Sequence, residues 1–264
     1  PLYGPDVGLW GGEPRFYECL FENEFVPTIE HLESLVDENT VAILYNFPSN
    51  PTGATITTEQ RDELLTFAQR HDLWIITDEV YDRIVFDNEH VSFVGSDDER
   101  VILINSFSKT YAMTGWRIGY IMSANKDAMN QMIKLQYYIT ACSNDAMQYA
   151  VLAAINEADD YPDEMCAEFK ARRDIICSRL NDMPGVQCHV PEGAFYVFPK
   201  VEVPGMSSEE VALELLKGGV LCSPGSAFGP SGEGHLRFAY TISRDDISLG
   251  MDKTEVVLKR LRGD

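Results

Sequence analysis

The chain has 264 residues, 45% of them hydrophobic, enough to bury a substantial core in one large or two ordinary domains. Lysine and arginine total 21 against 42 aspartates and glutamates, and the formal net charge of −21 repels nucleic acid and anionic membrane surfaces. Apolar runs such as "VAILY" (41–45) and "VILIN" (101–105) are far too short to span a bilayer, and no basic-then-apolar leader opens the chain, so it reads as soluble and cytoplasmic.

The acidity is spread in pairs such as Asp97-Asp98, Asp159-Asp160 and Asp245-Asp246. Such a surface suits either a highly saline cytoplasm, where screening removes self-repulsion, or an ordinary acidic enzyme. Cys19, Cys142, Cys166, Cys177, Cys188 and Cys222 form no CxxC pair, which fits scattered free thiols in a reducing cytosol. The five histidines include no HxxxH, and no metal site is expected.

From about residue 40, short β-branched runs alternate with helical patterns, the signature of parallel βαβ units. A buried strand is expected at 41–46, followed by a loop rich in Pro, Asn and Gly. Thr57 and Gln60 then form a capping box, and Leu64, Leu65 and Ala68 give a helix its apolar stripe up to His71. Further strands are expected at 73–80, 101–106 and 117–122, and long helical patterns at 126–157 and 161–183. After Pro184-Gly185 the pattern shifts to shorter strands at 186–190, 194–199, 219–222 and 235–240. Helices there are capped at Ser207-x-x-Glu210 and in "SRDD" (243–246). The fold class is therefore α/β, a mostly parallel sheet flanked by helices, with a smaller α+β domain at the C-terminus. The domain boundary is placed near 165, giving domains of 1–165 and 166–264.

In open α/β sheets, ligands bind outside the carboxyl ends of the strands. Four sets of polar groups fall at such ends: Asn50 in "NFPSNPTGA", Asp78 and Tyr81 in "TDEVY", Ser106 and Lys109 in "NSFSK", and Arg237 in "HLRFAY". Singly, each has an ordinary reading: a turn, a solvated loop or cap, a surface lysine, half of an ion pair. Their joint occurrence at strand ends carries the argument. A lysine that forms a Schiff base must be neutral when it attacks, and the apolar flanks of Lys109 suit that. A pyridoxal ring acts as an electron sink while its ring nitrogen stays protonated, which a carboxylate such as Asp78 enforces. Asn50 and Tyr81 suit its phenolic oxygen, and Ser106 with Arg117 suits its phosphate.

The segment "SFSKTYAMTGWRIG" (106–119) places an arginine eight residues after the lysine, followed by an apolar residue and glycine. With "NPTG", "DEVY" and "LRFAYT" in order, the chain resembles the class I/II aminotransferases, the fold-type I pyridoxal-phosphate enzymes. The resemblance runs from Pro1 to near the C-terminus. It implies that Lys109 holds pyridoxal 5'-phosphate as a Schiff base and then moves the proton between Cα and C4′. It also implies that Asp78 pairs with the ring nitrogen, Tyr81 and Asn50 bond the ring oxygen, and Ser106 and Arg117 hold the phosphate. The resemblance further implies that Arg237 grips the substrate α-carboxylate by a two-pronged bond, and Tyr3 in "PLYGP" resembles the aromatic that stacks on the ring. The segments "EGAFYVF" (192–198) and "CSPGSAFG" (222–229) resemble those that close over the substrate. Complete members carry roughly a hundred further residues before the point matching Pro1, including a glycine-rich turn at the phosphate and an arm that crosses to a partner subunit, so the chain is expected to be N-terminally incomplete.

The implied reaction is transfer of an amino group from an L-amino acid to a 2-oxo acid by a homodimer. Two alternatives stay open on the residues alone, a C–S β-lyase using the same site and a non-catalytic aminotransferase-like regulatory domain.

Overall fold

The computed structural model describes residues 2–95, 98–158 and 160–263; Pro1 and, from the acidic pairs, Asp97 and Asp159 lie outside them. The chain divides into two compact units, one of residues 36–49 and 55–167, the other of residues 1–35, 50–54 and 168–264.

The chain opens with two short helices, α1 (Tyr3–Leu9) and α2 (Ile29–Leu35). α1 buries none of its side chains, while α2 buries Leu32.

The sheet unit then runs through β1 (Ala42–Asn46), α3 (Thr58–Arg70), β2 (Trp74–Asp78), β3 (Val101–Ser106), α4 (Phe107–Thr110), β4 (Gly119–Met122), α5 (Lys126–Thr140) and α6 (Asp145–Glu157). The strands lie in the order β1-β2-β3-β4. The first three are parallel and β4 is antiparallel to β3. Parallel pairing demands a crossover between β1 and β2, and α3 supplies it. Thr57 Oγ1 accepts from Gln60 N (3.2 Å) and Gln60 Oε1 accepts from Thr57 N (2.9 Å), closing the expected capping box. The buried face of α3 is Leu64, Leu65, Phe67 and Ala68. Leu64 is only 2% exposed, and burying such a side chain contributes about 2 kcal/mol. In register, Asn46 pairs with Asp78 and Asp78 with Ile104, so β1 and β2 end level while β3 runs on past them to Ser106.

Two local differences from the sequence reading have plain causes. The 126–157 pattern is two helices, because Ala141 turns to φ +62° and Asn144 then caps α6 by accepting from Met147 N at 3.3 Å. The strand expected from 117 begins at Gly119, because 114–116 form a 3₁₀ turn that leaves Arg117 in the left-handed region.

α7 (Tyr161–Asn181) carries the chain on into the other unit, which holds β5 (Val186–Gln187), β6 (Tyr196–Val197), β7 (Lys200–Val201), α8 (Ser208–Lys217), β8 (Ser223–Pro224), β9 (Leu236–Ala239) and α9 (Arg244–Arg262). β5 pairs with β7, and β6, β9 and β8 form a second antiparallel sheet in that order. The strand expected at 219–222 forms later, at 223–224. Gly219 (φ +83°) reverses the chain after α8, and Val220 N is spent on Leu215 O. Ser207 and Ser243 cap α8 and α9 as expected. Leu180, Leu215, Leu236, Tyr240 and Leu258 form the buried centre of this unit.

Candidate functional site

The residues singled out from the sequence fall into two groups, one in each unit. In the sheet unit, Asp78 ends β2 half-buried, its Oδ1 accepting from Val80 N at 3.2 Å and its carbonyl from Asn46 Nδ2 at 3.0 Å. Tyr81 follows, buried. Lys109 sits on α4 with Nζ 5.8 Å from the centre of the Tyr81 ring, within cation–π range. The structure thus brings the amine to the phenol that the sequence grouped with it.

Ser106 caps α4, its Oγ accepting from Ser108 N at 3.0 Å and lying 2.8 Å from Ser108 Oγ and 3.1 Å from Ile118 O. Ser108, passed over in the sequence as a small residue of the lysine segment, therefore adds a second hydroxyl beside Ser106. Arg117 is exposed at φ +54°, with Nη1 donating to Thr114 O at 2.9 Å. Gly119 explains the glycine of the segment, since a Cβ there would stand 2.6 Å from Asn105 O.

Beside Asp78, Glu79 is 1% exposed and its carboxylate is fully engaged. It accepts from Thr77 Oγ1 (3.0 Å) and Phe93 N (3.1 Å), and pairs with His90 Nε2 (2.7 Å). Burial alone would raise its pKa, but the bonds from His90, Phe93 and Ser92 outweigh burial and hold the carboxyl below its ordinary value. Nothing in the sequence separated Glu79 from a solvated neighbour of Asp78; apart from Thr77, the partners named here come from the 90–93 loop.

In the other unit, Asn50 and Arg237 meet. Arg237, on β9, donates from Nη1 to Asn50 Oδ1 at 2.8 Å and from Nη2 to Ser223 Oγ at 3.2 Å. Its guanidinium carbon lies 4.6 Å from the Tyr196 ring centre and 4.8 Å from that of Phe228. Its Nε is buried and finds no partner among the described residues. A guanidinium held against aromatic rings with a desolvated, unmatched N–H suits a planar anion such as a carboxylate. Tyr196 and Phe228 belong to the two segments flagged in the sequence, though neither residue was named there.

Gly53 accounts for the end of "NPTG": it stands at φ +72°, and a Cβ would lie 2.4 Å from Pro191 Cβ and 2.8 Å from Gly193 O. Gly193 N also donates to Gly53 O at 2.9 Å. Tyr3 opens α1 and is 41% exposed.

Among the described residues no helix is long and apolar enough to cross a membrane, and no His/Cys/Asp/Glu cluster could hold a metal ion. Burial pushes the Cys19 and Cys222 thiols up to about 12, which removes them as nucleophiles at neutral pH.

The family profile described as aminotransferase class I and II matches residues 1–253. The chain is 39% identical to aromatic-amino-acid aminotransferase 2 of Thermococcus litoralis and 38% identical to aspartate aminotransferase of Pyrococcus abyssi. Each alignment covers 97% of this chain and 67% of the relative, so the chain spans about two thirds of their length. The crystal structure of an aromatic aminotransferase from Pyrococcus horikoshii superposes with a TM-score of 0.94 at 38% identity, over 98% of this chain and 70% of that one.

Proposed function

The chain belongs to the class I and II aminotransferase family, and we propose that it moves an amino group from an L-amino acid to a 2-oxo acid with Lys109 as the working amine. The family depends on pyridoxal 5'-phosphate, which when bound supplies an electron sink for negative charge at the substrate α-carbon. The donor set fits that group: an amine at Lys109, a carboxylate at Asp78, a phenol at Tyr81, hydroxyls at Ser106 and Ser108, and a guanidinium at Arg117.

In this reading Lys109 would hold the aldehyde and, once the substrate amine takes its place, the freed amine would carry the proton to and from the substrate α-carbon, while Asp78 would keep the ring nitrogen protonated. Tyr81 donates to the ring oxygen. Ser106, Ser108 and Arg117 take the phosphate.

Arg237 takes the α-carboxylate, and Asn50 turns the guanidinium by accepting from Nη1. The observation that carries the reading of amino and oxo acids as substrates is this guanidinium, within cation–π range of Tyr196 and Phe228 and with Nε buried and unmatched among the described residues. A second proposal is a homodimer in the cytoplasm. Large apolar side chains left exposed on α5 and α6, among them Tyr137, Ile139 and Leu152, support the first part. Six cysteines with no disulfide among the described residues support the second.

The test incubates the full chain and pyridoxal phosphate with a ¹⁵N-labelled amino acid and an unlabelled 2-oxo acid. Label should appear in the new amino acid and disappear with Lys109→Ala. Release of pyruvate and ammonia from cysteine without such transfer would instead assign the lyase reaction.

A further inference from the structure

Lys109 stands on a helix of only four residues, too short to hold its own geometry, so its place must come from bonds to the rest of the sheet unit. One carboxylate reaches both flanks of that segment. Asp82 Oδ2 accepts from Asn105 Nδ2 at 2.9 Å, and Asp82 Oδ1 lies 3.5 Å from Thr110 Oγ1. Asn105 and Thr110, 4% and 8% exposed, bracket the run from Ser106 to Lys109. Asn105 is engaged at both ends of its amide, since its Oδ1 also accepts from Ser106 N at 2.6 Å. Asp82 itself belongs to the turn after β2, where its N–H donates to Glu79 O at 3.0 Å and Ile84 N closes on Tyr81 O at 2.8 Å.

We propose that Asp82 is a positioning residue that sets Lys109 against Tyr81, acting through Asn105 on one side of the lysine and Thr110 on the other. Buried donors have no water to replace this acceptor, so its loss would leave Asn105 and Thr110 unmatched there. The same side chain thereby ties the turn bearing Tyr81 to the segment bearing Lys109. The proposal rests on the assignment of Lys109 made above.

The experiment is reductive trapping: the full chain is mixed with limiting pyridoxal phosphate and borohydride, and the rate of marking at Lys109 is read by peptide mass spectrometry beside a melting curve. Asp82→Ala should keep a cooperative melt but slow marking of Lys109 about tenfold or more, as expected for a reacting group moved by a fraction of an ångström. Asp82→Asn should restore most of the rate, because its Oδ1 still accepts from Asn105 and its amide meets the Thr110 hydroxyl. Asp82→Ala marking at the wild-type rate, or Asp82→Asn no better than Asp82→Ala, would overturn the proposal. If Asp82→Ala does not fold, Thr110→Val, which keeps the Asn105 bond, decides: a severalfold slower rate supports the role and an unchanged rate overturns it. Failure of the wild type to mark at Lys109 would strike the assignment of Lys109 itself, not the role of Asp82.

Discussion

Arg237 Nη1 donates to Asn50 Oδ1 across 2.8 Å, a bond between residues 187 positions apart. It makes the asparagine of "NPTG" the orienting group for the guanidinium, whose carbon lies 4.6 Å from the Tyr196 ring centre and 4.8 Å from that of Phe228. Arg237→Lys keeps the charge but loses the fork and the stacking. KM for the amino acid should rise roughly ten- to a hundredfold, the worth of one charged hydrogen bond. Steady-state kinetics on a panel of amino acids measures this, and an unchanged KM would remove Arg237 from carboxylate recognition.

The pair of buried Glu79 and half-buried His90 ties the 90–93 loop to the end of β2. Removing one partner of such a pair leaves the other unmatched, so Glu79→Gln should cost about 3 kcal/mol in chemical denaturation at pH 7. Because the Glu79 pKa is lowered in the folded state, its contribution is present above the ordinary glutamate value and is lost as pH falls through the folded one. Glu79→Gln should therefore flatten the pH dependence of stability below about pH 4.5. An acid limb as steep as that of the wild type would count against this.

His235 lies buried against Phe198, ring centres 5.0 Å apart, with Nε2 unmatched among the described residues. Burial lowers its pKa, against a smaller opposing pull from the Glu233 carbonyl. The sign follows: the contribution is whole above the unfolded value of about 6.5 and falls as the unfolded chain takes up a proton below it. His235→Phe should flatten the stability curve just below about pH 6.5, where the unfolded chain takes up the proton. Thermal melts across that range test it, and a slope equal to the wild type's would show that His235 does not titrate on unfolding.

Much of this was legible in the sequence, and the losses have physical causes. β1, β3, α3 and the serine-capped α8 and α9 emerge where the sequence puts them, because their apolar spacing and caps are local signals. The break at Ala141 and the delayed β8 depend on single backbone angles that periodicity does not carry. Lys109 and Arg237 stood out by motif. Glu79, Asp82 and Ser223 did not, since each owes its place to partners distant in the chain or to a neighbour with no distinctive spacing. Glu79 and Asp82 are, in sequence, two more carboxylates among 42 acidic residues.

A net charge of −21, with acidic residues outnumbering basic ones two to one, sets self-repulsion at the surface against the folded state. Raising sodium chloride from about 0.1 to 1 M shortens the screening length from about 10 to 3 Å, which should raise the melting temperature despite weakening exposed pairs such as Glu168 with Arg244. A melting temperature that falls with salt would show that the ion pairs outweigh the repulsion.

The central claim is that Lys109 is the amine that takes the cofactor. Borohydride reduction of the wild-type chain with equimolar pyridoxal phosphate, followed by peptide mapping, tests it most directly. The account predicts one phosphopyridoxyl group per chain, on Lys109, and none there in Lys109→Ala. A mark concentrated on another lysine, or scattered over several at equal rates, would contradict it.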